Sequence, residues 1–141
     1  MYQSISGGCL CGEVTFTVSP PFYDFYFCHC TLCRKSGGSS HAANLFCDPG
    51  LLDWHSGESL IKTYELGGNR LFNKSFCELC GSALPARAKS GDFFIVPAGC
   101  LDQELSVVPS KNIFWSEKAG WYLAGYVAPK YDKHGPALLR P

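Results

Sequence analysis

The central stretch of the sequence, Cys28-His-Cys-Thr-Leu-Cys-Arg-Lys-Ser-Gly37, places three cysteines within six residues. Two shorter cysteine pairs lie on either side of it, Cys9-Leu-Cys11 and Cys77-Glu-Leu-Cys80. Thiolates are preferred ligands of zinc, and four of them surround one ion as a tetrahedron with zinc–sulfur distances of about 2.3 Å. Short pairs on separate turns supply such a set because each pair approaches the ion from one side. These seven cysteines therefore predict a fold organised by metal.

Metal binding explains the cysteines better than disulfides do. The total is nine, an odd number, and partners only one or two residues apart are poorly placed for a structural bridge. The N-terminus lacks the basic and apolar segments of a secretory signal, and no apolar run approaches the roughly 20 residues that span a bilayer. We therefore expect a soluble, cytoplasmic protein without a membrane partner. The common ferredoxin spacings are also missing, which disfavours an iron–sulfur cluster.

Composition predicts one ordinary domain over residues 1–141. Hydrophobic residues make up 46% of the chain and aromatic residues 14%, which is enough for a packed core. The twelve basic and twelve acidic residues cancel. A chain without net positive charge is not expected to attract the phosphate backbone of nucleic acids, so a nucleic-acid-binding zinc ribbon is disfavoured. The sequence carries no signal for an oligomeric state.

The hydrophobic pattern predicts a mainly β fold. In residues 13–18 the apolar side chains Val14, Phe16 and Val18 alternate with polar ones, which is typical of a half-buried strand. Helical periodicity is weak, and Thr31–Gly37 is the one segment that we expect to form a helical turn. The aromatic run at residues 22–27 is expected to pack in the core rather than to line a pocket. Further strands are predicted at residues 41–46, 60–66, 69–76 and 92–97.

Spacing alone leaves the division of the cysteines between ions open. Seven thiolates are one short of two complete four-ligand sites. If the two outer pairs share one ion, the central cluster holds a second with three thiolates, and three protein ligands with a vacant position are typical of catalytic zinc. Alternatively, Cys9 and Cys11 could share the ion of the central cluster. Cys47 or Cys100 could also complete the smaller set.

Five segments follow one another in an order and spacing that match a known family. They are Gly7-Gly-Cys-Leu-Cys-Gly-Glu-Val-Thr-Phe16, Phe27-Cys-His-Cys-Thr-Leu-Cys-Arg-Lys-Ser-Gly37, Phe76-Cys-Glu-Leu-Cys-Gly-Ser-Ala-Leu84, Ala98-Gly-Cys-Leu-Asp102 and Ile113-Phe-Trp-Ser-Glu-Lys-Ala-Gly-Trp-Tyr122. Through them the sequence resembles the GFA family (glutathione-dependent formaldehyde-activating enzyme-like, or CENP-V/GFA domain). The resemblance covers residues 7–122. It implies a β-tent-like fold of small sheets around two zinc sites, with two zinc ions per chain.

The resemblance also implies which cysteines share an ion. The implied structural zinc has four ligands: Cys9, Cys11, Cys77 and Cys80. The implied second zinc, which is open and lies where glutathione binds in the founding type of enzyme, has three: Cys28, Cys30 and Cys33. That type of enzyme condenses formaldehyde with glutathione to S-hydroxymethylglutathione and is classed as a carbon–sulfur lyase. Position 100 departs from the family pattern, since a cysteine stands where a hydroxyl residue is expected.

Two functions follow from these assignments. The first is a zinc enzyme of the carbon–sulfur lyase type that acts on a thiol–aldehyde adduct, with a small thiol such as glutathione as its partner. An open zinc could accept the substrate thiol as a fourth ligand and lower its pKa, so that the thiolate adds to the aldehyde carbon. The second is a zinc-stabilised binding module in which both metals are structural. A water or substrate thiol on the second zinc favours the enzyme, whereas Cys47 or Cys100 there favours the module.

Three residues beside the cysteines are candidates for other roles. Arg34 and Lys35 directly follow Cys33 and are candidates to pair with carboxylates of a glutathione-like substrate; the alternative is that they are ordinary solvated surface residues. His29 lies between two predicted ligands, where its side chain is expected to point away from their ion. We therefore expect the His29 ring to be packed or hydrogen-bonded nearby rather than to bind metal.

Overall fold

The computed structural model describes residues 3–137, which form a mainly β structure of small separate sheets. The predicted fold class is thereby confirmed. The strands are β1 (Ile5–Gly8), β2 (Thr15–Val18), β3 (Phe22–Cys28), β4 (Ala42–Cys47), β5 (Leu52–Ser56), β6 (Ile61–Glu65), β7 (Asn73–Cys77), β8 (Ala83–Leu84), β9 (Ala86–Arg87), β10 (Phe94–Pro97) and β11 (Lys111–Ile113). The helices are α1 (Thr31–Gly37) and α2 (Tyr122–Val127).

The strands form three sheets. One has the order β1-β2-β5, a central five-stranded sheet has the order β11-β3-β4-β10-β9, and the third has the order β6-β7-β8. All pairings are antiparallel except that of β11 with β3, which is parallel. A single layer of strands cannot enclose a core by itself, so the three sheets bury their apolar faces against one another.

Apolar side chains from the three sheets meet in one core. Val14, Phe16 and Val18 are fully or almost fully buried, as the alternation in residues 13–18 predicted. They pack with buried residues of the other two sheets, among them Leu45 of β4 and Leu84 of β8. At about 25 cal/mol for each Å² of apolar surface removed from water, this shared core is the main force that holds the sheets together.

The largest difference from the predicted strand boundaries is at the start of β7. Residues 66–72 form a loop, so β7 begins at Asn73. The Leu66 amide donates to the Phe72 carbonyl across this loop, and Leu71 is 82% exposed. The aromatic run at residues 22–27 is most of β3. Phe22 and Phe25 pack against the core, as expected, whereas Tyr23 is 60% exposed, so the expectation of core packing holds for only part of the run.

The segment after β11 folds back over the end of β3. The rings of Trp115 and Tyr122 lie 5.0 and 4.9 Å from the ring of His29. Trp121 is 61% exposed, so it does not share this packing. Among residues 3–137, no helix has both the length and the apolar character that crossing a membrane requires.

Candidate metal centres

The first candidate centre joins two hairpins from different sheets. Cys9 and Cys11 lie in the turn between β1 and β2, while Cys77 ends β7 and Cys80 follows in the turn to β8. Their four sulfurs all lie within 4.8 Å of one another. The Cys9–Cys11 and Cys11–Cys77 sulfur distances are 3.5 and 3.9 Å. Tetrahedral zinc–thiolate geometry spaces sulfurs about 3.8 Å apart, so this donor set fits a zinc ion.

Glycine shapes both turns of this centre. The Gly12 amide donates to the Cys9 carbonyl, and the Gly81 amide donates to the Cys77 carbonyl. Gly12 has φ +81° and Gly81 has φ +74°, a left-handed conformation that other L-residues adopt only at a cost. The glycine after each outer cysteine pair thus lets the chain fold back with both sulfurs on one side.

Hydrogen bonds hold the sulfurs of this centre in place. The Val14 amide donates to Cys9 Sγ over 3.2 Å, and Ser82 Oγ lies 3.2 Å from Cys80 Sγ. The same Ser82 hydroxyl accepts a hydrogen bond from the Leu10 amide, so it connects the two turns. Hydrogen bonding from the Ser82 side chain and backbone lowers the pKa of Cys80 to about 5. A thiol held as thiolate near neutral pH is a ready metal ligand.

The second candidate centre lies where β3 passes into α1. Cys28 is the last residue of β3, Cys30 is the N-cap of α1, and Cys33 lies in the first turn of the helix. Their three sulfurs also lie within 4.8 Å of one another. Cys30 Sγ accepts a hydrogen bond from the Cys33 amide over 3.3 Å, which is the usual bond of a helix cap. One strand–helix turn therefore supplies the whole set.

The electrostatics of this set favour a bound cation. Burial and the two neighbouring thiols raise the pKa of Cys33. Burial is also the main reason that the pKa of Cys28 is raised. Three negatively charged sulfurs this close repel one another. A divalent cation bound between them attracts all three and so outweighs this repulsion. All nine cysteines are free of disulfides. The donor set therefore fits a metal ion.

His29 is packed behind the second centre. It is fully buried, and its Nε2 lies 2.9 Å from Oδ1 of Asn112 on β11. The His29 amide donates to the Ile113 carbonyl on the same strand. The burial of the ring and its contact with Asn112 confirm the expectation of a packed, hydrogen-bonded histidine.

Cys47 and Cys100 lie apart from both groups. Cys47 is fully buried in the core, where it packs as a small hydrophobic residue, and burial raises its pKa to about 11. Cys100 borders a shallow groove on the surface beside Cys9, and burial of its thiol raises the pKa to about 12. Within residues 3–137, no fourth histidine, cysteine or acidic side chain joins the set of three.

A cavity of about 230 Å³ begins at the second centre. It extends from Cys33 on α1 between β4 and β7. The part of its wall formed by Ala42, Phe72 and Ile95 is apolar. Its polar side chains are Ser36, Asn44, Asn73, Lys74 and Ser75. Such a combination of apolar wall and few polar groups is typical of a small-molecule site.

A second depression, with a volume of about 500 Å³, shares Ser36, Phe72 and Lys74 with this cavity. Lys35 lies on its wall. The Arg34 guanidinium instead donates to the Glu117 carbonyl over 2.8 Å and so attaches α1 to the C-terminal segment. Because the structure holds no ligand, the predicted contacts of Arg34 and Lys35 with substrate stay predictions.

Three residues near the second centre were absent from the sequence-based candidates. Lys74 and Asn44 line the cavity, and Tyr26 stands opposite Asn44 across the β3–β4 pair. Burial, followed by the charge on Cys28, raises the pKa of the Tyr26 phenol to about 12, so it stays protonated at neutral pH. Lys74 lies on β7 and Asn44 on β4, and only the arrangement of these two strands in the fold shows that both residues line one cavity.

Known proteins resemble this chain over most of its length. A sequence model of the GFA family, described as glutathione-dependent formaldehyde-activating enzyme, matches residues 4–117. A curated protein of Halomonas elongata named "Putative glutathione-dependent formaldehyde-activating enzyme" is 33% identical over 123 residues. That alignment covers 83% of this chain and 78% of the relative. The residues matched by the family model include all seven clustered cysteines.

The fold also has a counterpart among solved structures. A crystal structure of a Rhodobacter sphaeroides protein matches with a TM-score of 0.59 and 25% sequence identity. The match covers 74% of this chain and 97% of that chain. Helix α2 lies beyond the residues matched by the family model.

Proposed function

The chain belongs to the GFA family, the glutathione-dependent formaldehyde-activating enzymes, and on that basis we propose that it is a zinc enzyme of the carbon–sulfur lyase type. Its substrates are a small thiol of the glutathione type and an aldehyde such as formaldehyde. The observation that carries the proposal is the group of three cysteine sulfurs, one of which belongs to Cys33 on the wall of a cavity. A set of three protein ligands beside a cavity is the pattern of a catalytic rather than a structural metal.

In this proposal the two groups of sulfurs have different tasks. Cys9, Cys11, Cys77 and Cys80 hold a structural zinc, and Cys28, Cys30 and Cys33 hold the zinc at the cavity. When bound, that second zinc supplies electrostatic stabilisation of a substrate thiolate at neutral pH.

The reaction is an addition without change of oxidation state. The substrate thiol loses its proton and its sulfur forms a bond to the aldehyde carbon. The π electrons of the carbonyl group move to its oxygen, which takes up a proton to give the S-hydroxymethyl adduct. The reverse reaction breaks the same carbon–sulfur bond and releases the aldehyde.

The residues of the cavity bind and enclose the reactants. The apolar wall formed by Ala42, Phe72 and Ile95 excludes water, which strengthens electrostatic interactions inside. The Asn44 amide offers both a donor and an acceptor for the adduct oxygen. The neutral Tyr26 phenol, next to Asn44, keeps a hydroxyl donor near the sulfurs without adding negative charge.

The alternative, a binding module with two structural metals, would be supported by Cys47 or Cys100 as the fourth ligand of the second ion. Both lie outside the set of three. The geometry therefore favours the enzyme.

The proposal is tested by mixing zinc-loaded protein with glutathione and formaldehyde and following formation of S-hydroxymethylglutathione by NMR exchange spectroscopy. We expect the protein to bind glutathione and to accelerate the exchange above the uncatalysed rate. A variant with Cys33→Ser serves as the control that lacks one ligand of the second centre. Zinc-loaded protein that neither binds glutathione nor changes the exchange rate would contradict the proposal.

A further inference from the structure

Lys74 places a positive charge where the cavity beside Cys33 meets the neighbouring depression. The residue lies on β7, where it pairs with Tyr64 of β6, and it lines both spaces. It is partly buried, and its ammonium group donates to the Ser36 carbonyl on α1. The side chain thus reaches from the third sheet to the helix that carries Cys33.

No carboxylate balances this charge in the part of the chain described. The lysines in ion pairs within residues 3–137 are Lys62, Lys89 and Lys111, whose partners are Glu78, Glu65 and Asp24. The residues lining the cavity and the neighbouring depression include no aspartate and no glutamate. An ammonium group that lines this space without a carboxylate partner is available to bind an anion there.

We propose that Lys74 determines substrate specificity by binding a carboxylate of the thiol substrate. This inference rests on the proposed function, since it names the residue of this chain that holds a carboxylate of the glutathione-type thiol. The apolar wall of Phe72 and Ile95 contacts the carbon chain between the two groups. Lys35, on the wall of the depression that Lys74 also lines, offers a second cation for a thiol with two carboxylates.

If Lys74 had only a structural role, its substitution would have different effects from those expected of a carboxylate-binding residue. If its only task were to attach β7 to α1 through Ser36, its loss would weaken all ligands equally and would lower zinc content or melting temperature. A carboxylate-binding role instead weakens the binding of carboxylate-bearing ligands and leaves esterified ligands unaffected. The two roles therefore separate in a comparison of charged and uncharged ligands.

The experiment is isothermal titration calorimetry of zinc-loaded protein with glutathione, its diethyl ester and S-methylglutathione. We expect the unmodified protein to bind glutathione about tenfold more tightly than the diester, as a charge-assisted hydrogen bond would give. Lys74→Met should abolish this preference while affinity for the diester stays within about twofold. Lys74→Arg should restore the preference. Lys62→Met, which removes an exposed lysine of the same sheet outside both spaces, should retain it.

Several outcomes would overturn the inference. One is equal affinity of the unmodified protein for glutathione and its diester. This measurement does not depend on whether any variant folds. Another is a Lys74→Met variant that keeps the preference, or one that loses affinity for all ligands together with zinc. S-methylglutathione has no thiol, so its dependence on Lys74 reports carboxylate binding alone. If that dependence holds while the reaction with formaldehyde is not accelerated, the proposed function fails and the assignment of Lys74 stands.

Discussion

At the scale of single residues, Cys30 combines two tasks in one sulfur. It belongs to the group of three potential ligands, and it caps α1 by accepting the Cys33 amide. Serine is among the best helix caps, whereas its hydroxyl is a far poorer zinc ligand than a thiolate. Substitution by serine therefore separates the two tasks.

We predict that Cys30→Ser lowers the zinc content from about two ions per chain to about one and abolishes the reaction with formaldehyde. The melting temperature should change by only a few degrees, because the cap is kept and the first centre is untouched. Inductively coupled plasma mass spectrometry and circular dichroism measure the two quantities. Global unfolding of this variant would show instead that the second centre is structural.

Cys100 gives a prediction about pH. Burial raises its pKa to about 12, so the unreactive thiol form dominates at neutral pH and the thiolate fraction grows about tenfold per pH unit below that pKa. Alkylation of Cys100 by iodoacetamide should therefore be slow at pH 8 and about a hundredfold faster at pH 10. Peptide mass spectrometry of native, zinc-loaded protein follows the reaction. A rate that stays constant over this range would contradict the assignment of Cys100 as a free, protonated thiol.

The clustered cysteines could be predicted from the sequence as metal ligands, whereas the residues that surround them could not. The short spacing within each cysteine cluster indicates metal binding directly. The family resemblance then assigned the cysteines to two sites, and the fold brings together the same two groups. Lys74 and Asn44 could not be predicted in the same way. Their place beside Cys33 depends on β4 and β7 lying against α1, which is a tertiary contact without a local signal.

At the scale of elements, strands with strict alternation were predictable. Residues 13–18 contain β2 and the buried Val14, and Thr31–Gly37 is helical as predicted. Strand β1 was missed because its sequence, Ile5-Ser-Gly-Gly8, ends in two glycines, which are depleted in strands. Strand β11 has only three residues, and its parallel pairing with β3 joins segments more than 80 residues apart.

Gly7 illustrates why that glycine-rich strand is required. A Cβ at Gly7 would lie 2.5 Å from the Phe16 ring and 2.8 Å from the Cys100 carbonyl oxygen. Both distances are far shorter than real carbon contacts. Position 7 therefore requires glycine, because the Phe16 ring and the Cys100 backbone occupy the space that a Cβ would need.

Two glycines with the same backbone conformation should respond differently to alanine. Gly57 has φ +74°, and a Cβ there would lie 2.3 Å from the Glu13 carbonyl oxygen; Gly68 has φ +78° with open space around it. Gly68→Ala should cost about 1–2 kcal/mol, from the left-handed conformation alone. Gly57→Ala should cost more, at least about 3 kcal/mol, because backbone must also move. Urea unfolding of zinc-loaded protein measures both, and equal costs would contradict the steric explanation.

At the scale of the whole molecule, the two candidate centres differ in what they connect. The first joins the β1–β2 turn to the β7–β8 turn, and so links the two outer sheets. The second is built from one continuous turn between β3 and α1. A metal that links separate sheets contributes directly to folding, whereas one held by a local turn contributes little beyond that turn.

This difference predicts unequal effects of removing one ligand from each centre. Cys77→Ser should eliminate cooperative thermal unfolding or lower the melting temperature by well over 10 °C, because a buried ligand of the linking centre is lost. Cys30→Ser is its matched control, since it makes the same chemical change at the local centre. Differential scanning calorimetry compares the two. Equal loss of stability would contradict the distinction between a linking and a local centre.

The zinc content of the purified, unmodified chain tests the central claim most directly. Inductively coupled plasma mass spectrometry, combined with amino-acid analysis for protein concentration, gives the number of ions per chain. With one set of four sulfurs and one set of three, we expect about two zinc ions per chain. A value close to one would contradict the account, because the three-cysteine group beside the cavity would then hold no zinc.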